Sequence, residues 1–422
     1  MSKRYTEYVD SGVPWLGDVP AGWPTRPLWS MFERIKDVGH PDEQMLSVFR
    51  DYGVVAKDSR DNINKTAENR NIYQLVHPGW LVTNRMKAWQ GSVGISGLRG
   101  IVSGHYICFA PRHAADSRYL NWLFRSPPYA AGYALQSRGV RIGQAEIDND
   151  LYRVMPVLLP PIEEQRAIAD YLDRETARID TLIEEQQRLI ELLVSRKRAV
   201  VDAVVTRGLD ADSCLVDSGV DWIGPIPEGW QTRPLWSMFR RIKDVDHPEE
   251  QMLSVFRDYG VVAKHSRDNI NKTAENRSIY QLVHPGWLVT NRMKAWQGSV
   301  GISSLRGIVS GHYICFAPLH SEEDAYLNWL FRSPRYALGY GLISRGVRIG
   351  QAEIDNDHYR VLPVVVPPLE EQRRVAAYLE EQTAKIDALI AETEQFIELA
   401  RERRAALISA AVTGQIDVRE AA

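Results

Sequence analysis

Between Ile162 and Thr206 the apolar residues Leu172, Ile179, Ile183, Ile190, Leu193, Val200 and Val204 recur at steps of three, four and seven, and no glycine or proline interrupts the run before Gly208. That period places one sticky seam along a single helix. At 1.5 Å per residue the helix extends roughly 68 Å, longer than a compact core requires, so it is expected to act as a strut. Pro160 and Pro161 end the strand that precedes it, because proline cannot donate to a sheet ladder. Glu163 and Glu164 then occupy the first turn, where the helix dipole favours negative charge. The same pattern returns 207 residues later, with Pro367-Pro368-Leu369-Glu370-Glu371-Gln372-Arg373 opening a second run whose seam is Leu379, Ile386, Ile390, Ile397 and Leu407.

The segments before each helix read as mixed α/β. Alternating or continuous apolar runs bounded by Gly, Pro and polar clusters predict strands over 45–49, 52–55, 80–83, 106–110 and 154–159. A helical pattern covers 116–125, and a second short helix follows Pro127-Pro128. The polar stretch 59–70 predicts a loop carrying a short helix. Asp148 and Asp150 read as a solvated edge ahead of the last strand. Pro20-Ala21-Gly22-Trp23 and its mate Pro227-Glu228-Gly229-Trp230 predict an ordered turn whose indole covers the start of a core.

The repeat aligns without a gap. Over 23–110 against 230–317, 81 of 88 positions are identical, the exceptions being 24, 33, 39, 42, 58, 71 and 97. Over the helices, 163–207 against 370–414, 22 of 45 are identical, so the globular units are near copies while the struts have drifted. A period this long excludes a solenoid. The expected fold class is α+β, with two similar mixed α/β domains joined by two long antiparallel coiled-coil helices in a pseudo-two-fold arrangement. Its divisions are 1–161, helix 162–207, linker 208–221, 222–368, helix 369–413 and tail 414–422. Gln186 and Thr393, and likewise Lys197 and Arg404, are repeat mates at seam positions; polar residues there either fix register or lie on a loosely packed face.

Charge sharpens this picture. The net charge is −3, yet residues 23–161 hold 17 Lys and Arg against 12 Asp and Glu, whereas residues 369–422 hold 7 against 11. Basic units suit phosphates, and acidic struts suit a protein partner. No apolar run approaches a membrane span, and the first residues lack the apolar core of a signal peptide. Three cysteines form no disulfide framework; Cys108 and Cys315 sit in repeated strands and Cys214 in the linker, as expected for inert thiols in a reducing cytoplasm.

No phosphate loop, dinucleotide fingerprint, zinc spacing, nucleophile elbow or Asn/Asp-Pro-Pro-aromatic methyltransferase motif occurs. What each unit has is cationic and amide side chains interleaved with aromatics in three loops. The first offers Lys57, Arg60, Asn62, Asn64 and Lys65, the second Asn84, Arg85, Lys87, Gln90 and Ser92, the third Arg138 and Arg141. Their mates are Lys264, Arg267, Asn269, Asn271 and Lys272, then Asn291, Arg292, Lys294, Gln297 and Ser299, then Arg345 and Arg348. Arginine reads guanine bidentately, Asn and Gln read adenine, and lysine and serine suit phosphate, so the three loops form a candidate DNA surface. Trp89 and Trp296 are available to stack or to be buried. His77, in His-Pro-Gly-Trp, reads as a turn residue.

Taken together, Pro160-Pro161-Ile162-Glu163-Glu164-Gln165-Arg166, its copy at 367–373, the two Pro-x-Gly-Trp entries and Gly139-x-Arg141 resemble the specificity subunit of type I restriction-modification systems, over nearly the whole chain. The resemblance implies a non-catalytic subunit with two target-recognition domains, each gripping half of a bipartite site in double-stranded DNA. The helices would space the domains and dock two methyltransferase subunits, and restriction (motor and nuclease) subunits would complete the enzyme. S-adenosylmethionine, ATP and Mg²⁺ would belong to those partners. Recognition domains in this family generally differ; here they are near copies, which implies an interrupted palindrome. The alternatives are a recognition subunit of another methylase-based phage defence, a self-contained methyltransferase or nuclease, and a coiled-coil scaffold without DNA.

Overall fold

The computed structural model describes residues 4–59, 69–141, 144–266, 277–348 and 351–419, with backbone alone at 140, 141, 144, 347, 348 and 351. By compactness the chain divides into two units: Met1–Gln187 with Gln395–Ala422, and Arg188–Glu394. The division falls inside both long helices, Ile162–Arg207 and Leu369–Val412, of 46 and 44 residues. Each unit is therefore a globular head plus the first half of one long helix and the second half of the other.

In the first unit, β1 (Tyr8–Asp10) and β2 (Asp18–Pro20) pair in the entry segment. β3 (Thr25–Pro27) leads through the short α1 (Leu28–Met31) into β4 (Phe32–Ile35). β5 (Leu46–Phe49) and β6 (Gly53–Ala56) make a hairpin. Then come β7 (Gln74–Val76), β8 (Leu81–Asn84), β9 (Val93–Ile95), β10 (Gly100–Val102) and β11 (Tyr106–Pro111). Helices α2 (Ser117–Arg125) and α3 (Pro127–Leu135) follow, with β12 (Ser137–Arg141), β13 (Gln144–Ile147), α4 (Asn149–Arg153) and β14 (Pro156–Leu158) before the first long helix. The central sheet is antiparallel, in the order β4-β11-β8-β9. The second unit repeats this order, with its own sheet built from 239–242, 313–318, 288–291 and 300–302.

β11 shows why its sequence is a continuous apolar run. Ile107 and Phe109 face the main core of the first unit, while Cys108 faces a smaller core with Leu46, Val48, Val54, Val76, Val82 and Val102. A period of two puts alternate residues on opposite faces, and both faces here are covered. Burial pushes the thiols of Cys108 and Cys315 up to about 12, which keeps them protonated.

The main core includes the helix ends. Ile168, Ala169 and Leu172 of the first long helix and Ile408, Ala411 and Val412 of the second belong to it. In the second unit Val201, Val204 and Val205 pack with Val375, Ala376 and Leu379 in the equivalent core. Numbers rise along one helix as they fall along the other, so the two run antiparallel within each unit. The helices are thus load carriers for the head cores as well as rods, a role that the seam pattern did not predict. Buried tyrosines in the core are hydrogen-bonded: the Tyr119 hydroxyl donates to Leu158 O (3.0 Å), that of Tyr129 to Pro156 O (3.0 Å) and that of Tyr133 to Phe124 O (3.0 Å). This removes the desolvation penalty that a bare hydroxyl would carry.

The Pro-Pro-x-Glu-Glu-Gln-Arg element is a joint. Glu164 accepts from Trp23 Nε1 (3.1 Å) and from the Tyr5 hydroxyl (2.9 Å). Gln165 donates to Pro160 O (2.7 Å) and accepts from the N–H of Asp116 (2.8 Å), which caps α2. Glu371 and Gln372 repeat the arrangement with Trp230, Glu323 and Pro367. The seam mates Lys197 and Arg404 are also engaged. Arg404 Nη2 donates to Asp180 (3.1 Å) in the first unit, and Lys197 Nζ meets Asp387 (2.6 Å) in the second. Asp180 and Asp387 are themselves repeat mates, so one ion pair is made twice.

Candidate nucleic-acid interface

The second predicted loop is a knotted turn. After β8, the Asn84 side chain accepts from the N–H of Met86 (3.1 Å), Lys87 N–H donates to Asn84 O (3.2 Å), and Ser92 N–H donates to Lys87 O (3.2 Å). A single 3-10 turn, Ala88–Gln90, closes at Gly91, whose φ of +84° is left-handed and which packs against Arg50. This bonding leaves Lys87 and Gln90 exposed and Trp89 half-buried, with its Nε1 donating to Met86 O (3.2 Å). Ser92 is buried, only 6% exposed, and so is Ser299. These two serines are a correction to the sequence reading: burial leaves little of either side chain for a phosphate to contact.

The third predicted loop is a strand pair. β12 and β13 form a hairpin with a register shift between Gly139 and Arg141. Arg138 is exposed and lies 3.2 Å from Asp148; its mate Arg345 lies 3.1 Å from Asp355. Asp148 is not a solvated edge. It caps α4, accepting from the N–H groups of Asp150 (3.0 Å) and Leu151 (3.3 Å). In the second unit the N–H groups of His358 and Asp357 hold the Asp355 carboxyl below the usual carboxylate range. The side chains of Arg141 and Arg348 lie outside the described set.

The turn and the hairpin meet at Arg85. Its carbonyl accepts from the N–H of Ile147 (3.0 Å), its own N–H donates to His105 O (2.9 Å), and its guanidinium pairs with Glu146 on β13. In the second unit Arg292 meets Ile354, His312 and Glu353 in the same way. Asn84 also lies against the Tyr106 hydroxyl, as do Ser47 and the backbone of Val48, and burial raises that phenol. Asn291 and Tyr313 repeat this contact.

Of the first predicted loop, Lys57 and Lys264 are half-buried at the start of short 3-10 turns, Lys57–Ser59 and Lys264–Ser266. Arg60, Asn62, Asn64 and Lys65, and Arg267, Asn269, Asn271 and Lys272, lie outside the described residues, as does most of the short helix expected over 59–70. The interface therefore unites Asn84, Arg85, Lys87, Gln90 and Arg138 in one head, and Asn291, Arg292, Lys294, Gln297 and Arg345 in the other. Sequence reasoning missed Glu146 and Glu353. The available signal was that 137–150 and 344–357 are identical throughout, though ten of the 26 positions of 111–136 differ from 318–343. His77 is a turn residue beside Arg99 (3.1 Å) and Trp80. No group of His, Cys, Asp and Glu suited to a metal occurs among the described residues, and no described helix is long and apolar enough to cross a membrane.

Two near-identical mixed α/β heads, each built on part of both long helices, define a duplicated α/β scaffold. That architecture is the one seen in HsdS specificity subunits of type I restriction-modification systems. A chain from the structure described as the basis of "complex assembly and conformational transition of the type I R-M system" aligns over 94% of this chain and 99% of its own, with 17% identity and a TM-score of 0.66. The HsdS subunit from Thermoanaerobacter tengcongensis aligns over 94% and 98%, with 17% identity and a TM-score of 0.50. No family model matches the sequence.

Proposed function

We propose that this chain is the DNA-reading, non-catalytic specificity subunit of a type I restriction-modification complex. It recognises a bipartite site in double-stranded DNA and directs two methyltransferase subunits and the restriction subunits to it. The observation that carries the reading is the HsdS-like fold over 94% of the chain, built here from two basic heads. S-adenosylmethionine, ATP and Mg²⁺ belong to the partners in this reading, and the place of action is the cytoplasm.

Two further features support it. The exposed side of the interface is cationic and amide-rich, as phosphate and base-edge contacts require. The long helices expose apolar residues at repeat-mate positions: Leu192 is 68% and Leu399 56% exposed, and Leu189 and Phe396 accompany them. Repeated apolar exposure on an otherwise acidic helix suits docking of two copies of one protein partner.

Because 81 of 88 compared head positions are identical, both heads read one half-site sequence, and the full site is an interrupted palindrome. Sequencing the methylated adenines of a host with the gene present and deleted tests the reading. The expected result is one bipartite motif that vanishes on deletion, with half-sites that are reverse complements. A methylome unchanged by deletion refutes the function; two unrelated half-sites refute the palindrome alone.

A further inference from the structure

Among the cationic candidate contacts, Arg85 and Arg292 differ from Lys87, Lys294, Arg138 and Arg345 in how firmly they are held. Lys87 and Gln90 are exposed at the tip of their turn. Arg138 has a side chain 82% exposed and is paired with Asp148 at 3.2 Å. Arg85 by contrast is fixed at both ends. Its backbone is bonded on one side to His105 and on the other to Ile147. Its guanidinium is set by Glu146, the residue preceding Ile147 on the same strand, so one strand holds both the root and the tip. The Arg85 side chain keeps 35% exposure, while its Nε is buried and meets no acceptor among the described residues. Arg292 and Glu353 reproduce each feature, including the bare Nε.

An unpaired buried N–H costs stability. Glu146 engages the guanidinium at Nη2 while the Arg85 side chain stays 35% exposed, so the group is held in place and yet reachable from solvent. A planar fork held in this way matches the O6 and N7 acceptors of guanine in the major groove, which an ammonium cannot contact bidentately. The surrounding sequence agrees. The hairpin that carries the glutamate is a surface segment, yet it is unchanged between the two copies while the adjoining helices have diverged.

We propose that Arg85 and Arg292 are specificity-determining residues, each reading one guanine at the same place in its half-site, and that Glu146 and Glu353 are positioning residues that orient them. This rests on the proposed DNA-reading function and names one base within its site. Lys87, Gln90 and Arg138 then serve backbone or neighbouring contacts.

The test uses the full chain and a duplex selected by it from a random-sequence pool. Each guanine of the selected half-sites is replaced in turn by 7-deazaguanine, which removes N7 and keeps Watson–Crick pairing. Wild type should lose about tenfold or more in affinity at one guanine per half-site. The Arg85→Lys/Arg292→Lys chain keeps its charge and its affinity for unrelated duplex, but should show no further loss at that guanine. Glu146→Gln/Glu353→Gln should shrink the same penalty while retaining the arginine. Equal losses for wild type and the lysine variant at every guanine, no loss at any guanine, or selected half-sites without guanine would overturn the assignment and leave DNA reading intact. Failure of the wild type to enrich any sequence would overturn the function itself, and this assignment with it.

Discussion

Asp246 shows what a single substitution between near copies costs. Its mate Gly39 has φ +92°, and Asp246 is held at φ +74°, the sole non-glycine residue with positive φ among those described. Glycine reaches that region freely, whereas an aspartate reaches it against its Cβ. The backbone bond that enforces the turn is kept in both copies: Gly39 N–H to Asn71 O at 3.0 Å, and Asp246 N–H to Ser278 O at 2.8 Å. Positions 71 and 278 also differ, so two of the seven exceptions touch each other. Asp246→Gly should raise the stability of the second unit by about 1 kcal/mol, measured by urea unfolding, while Gly39→Ala should lower that of the first. A neutral or destabilising Asp246→Gly would show that the aspartate side chain offsets its strain locally.

At the scale of elements, the helix pair divides its work between apolar seam and paired charge. Seam residues such as Ile179, Ile183, Ile386 and Ile397 are buried, each contributing about 1.5–3 kcal/mol by leaving water. The two ion pairs are repeat mates but not energetic equals. Arg404 has 19% side-chain exposure and Lys197 has 27%, and lysine's flexible stem lets its ammonium regain water. Arg404 also shares the Trp122 ring with Arg125, at 5.9 and 5.5 Å. Burial and the Arg404 charge lower the Arg125 guanidinium to about 10, and Asp180 opposes that shift. Asp180→Ala therefore leaves two cations crowded on one indole and should cost about 1–2 kcal/mol, whereas Asp387→Ala should cost about 0.5 kcal/mol or less. Urea unfolding of the two variants checks the order; equal losses would place the Arg125–Trp122 contact outside the balance.

For the whole molecule, the proposed function makes the helix pair the ruler between half-sites. Helices of 46 and 44 residues reach at most ~69 Å, or about two turns of B-DNA at roughly 34 Å each. Deleting one heptad from each long helix at repeat-mate positions should shorten the preferred spacer and leave the half-site bases unchanged, read from the methylome of cells carrying the variant. An unaltered spacer would assign the ruler to another element.

The chain's own pattern settled the duplication, the two long helices and their starts, the two inner strands of the central sheet, 81–84 and 106–111, and the helices over 117–125 and 127–135, because periodicity and proline placement act within one segment. It also marked the turn at 84–92 and the basic stretch at 138–141 as candidate contacts by residue type. Tertiary structure decided what depends on residues far apart in sequence meeting. It made the helix ends part of each head's core, turned the Glu-Glu-Gln element into a joint through Trp23 and Asp116, and paired 137–141 with 144–147. It also buried Ser92 and set Glu146 against Arg85. None of these leaves a periodic trace, since an ion pair or a shared core needs two distant segments to arrive together, and a local pattern records only its own face.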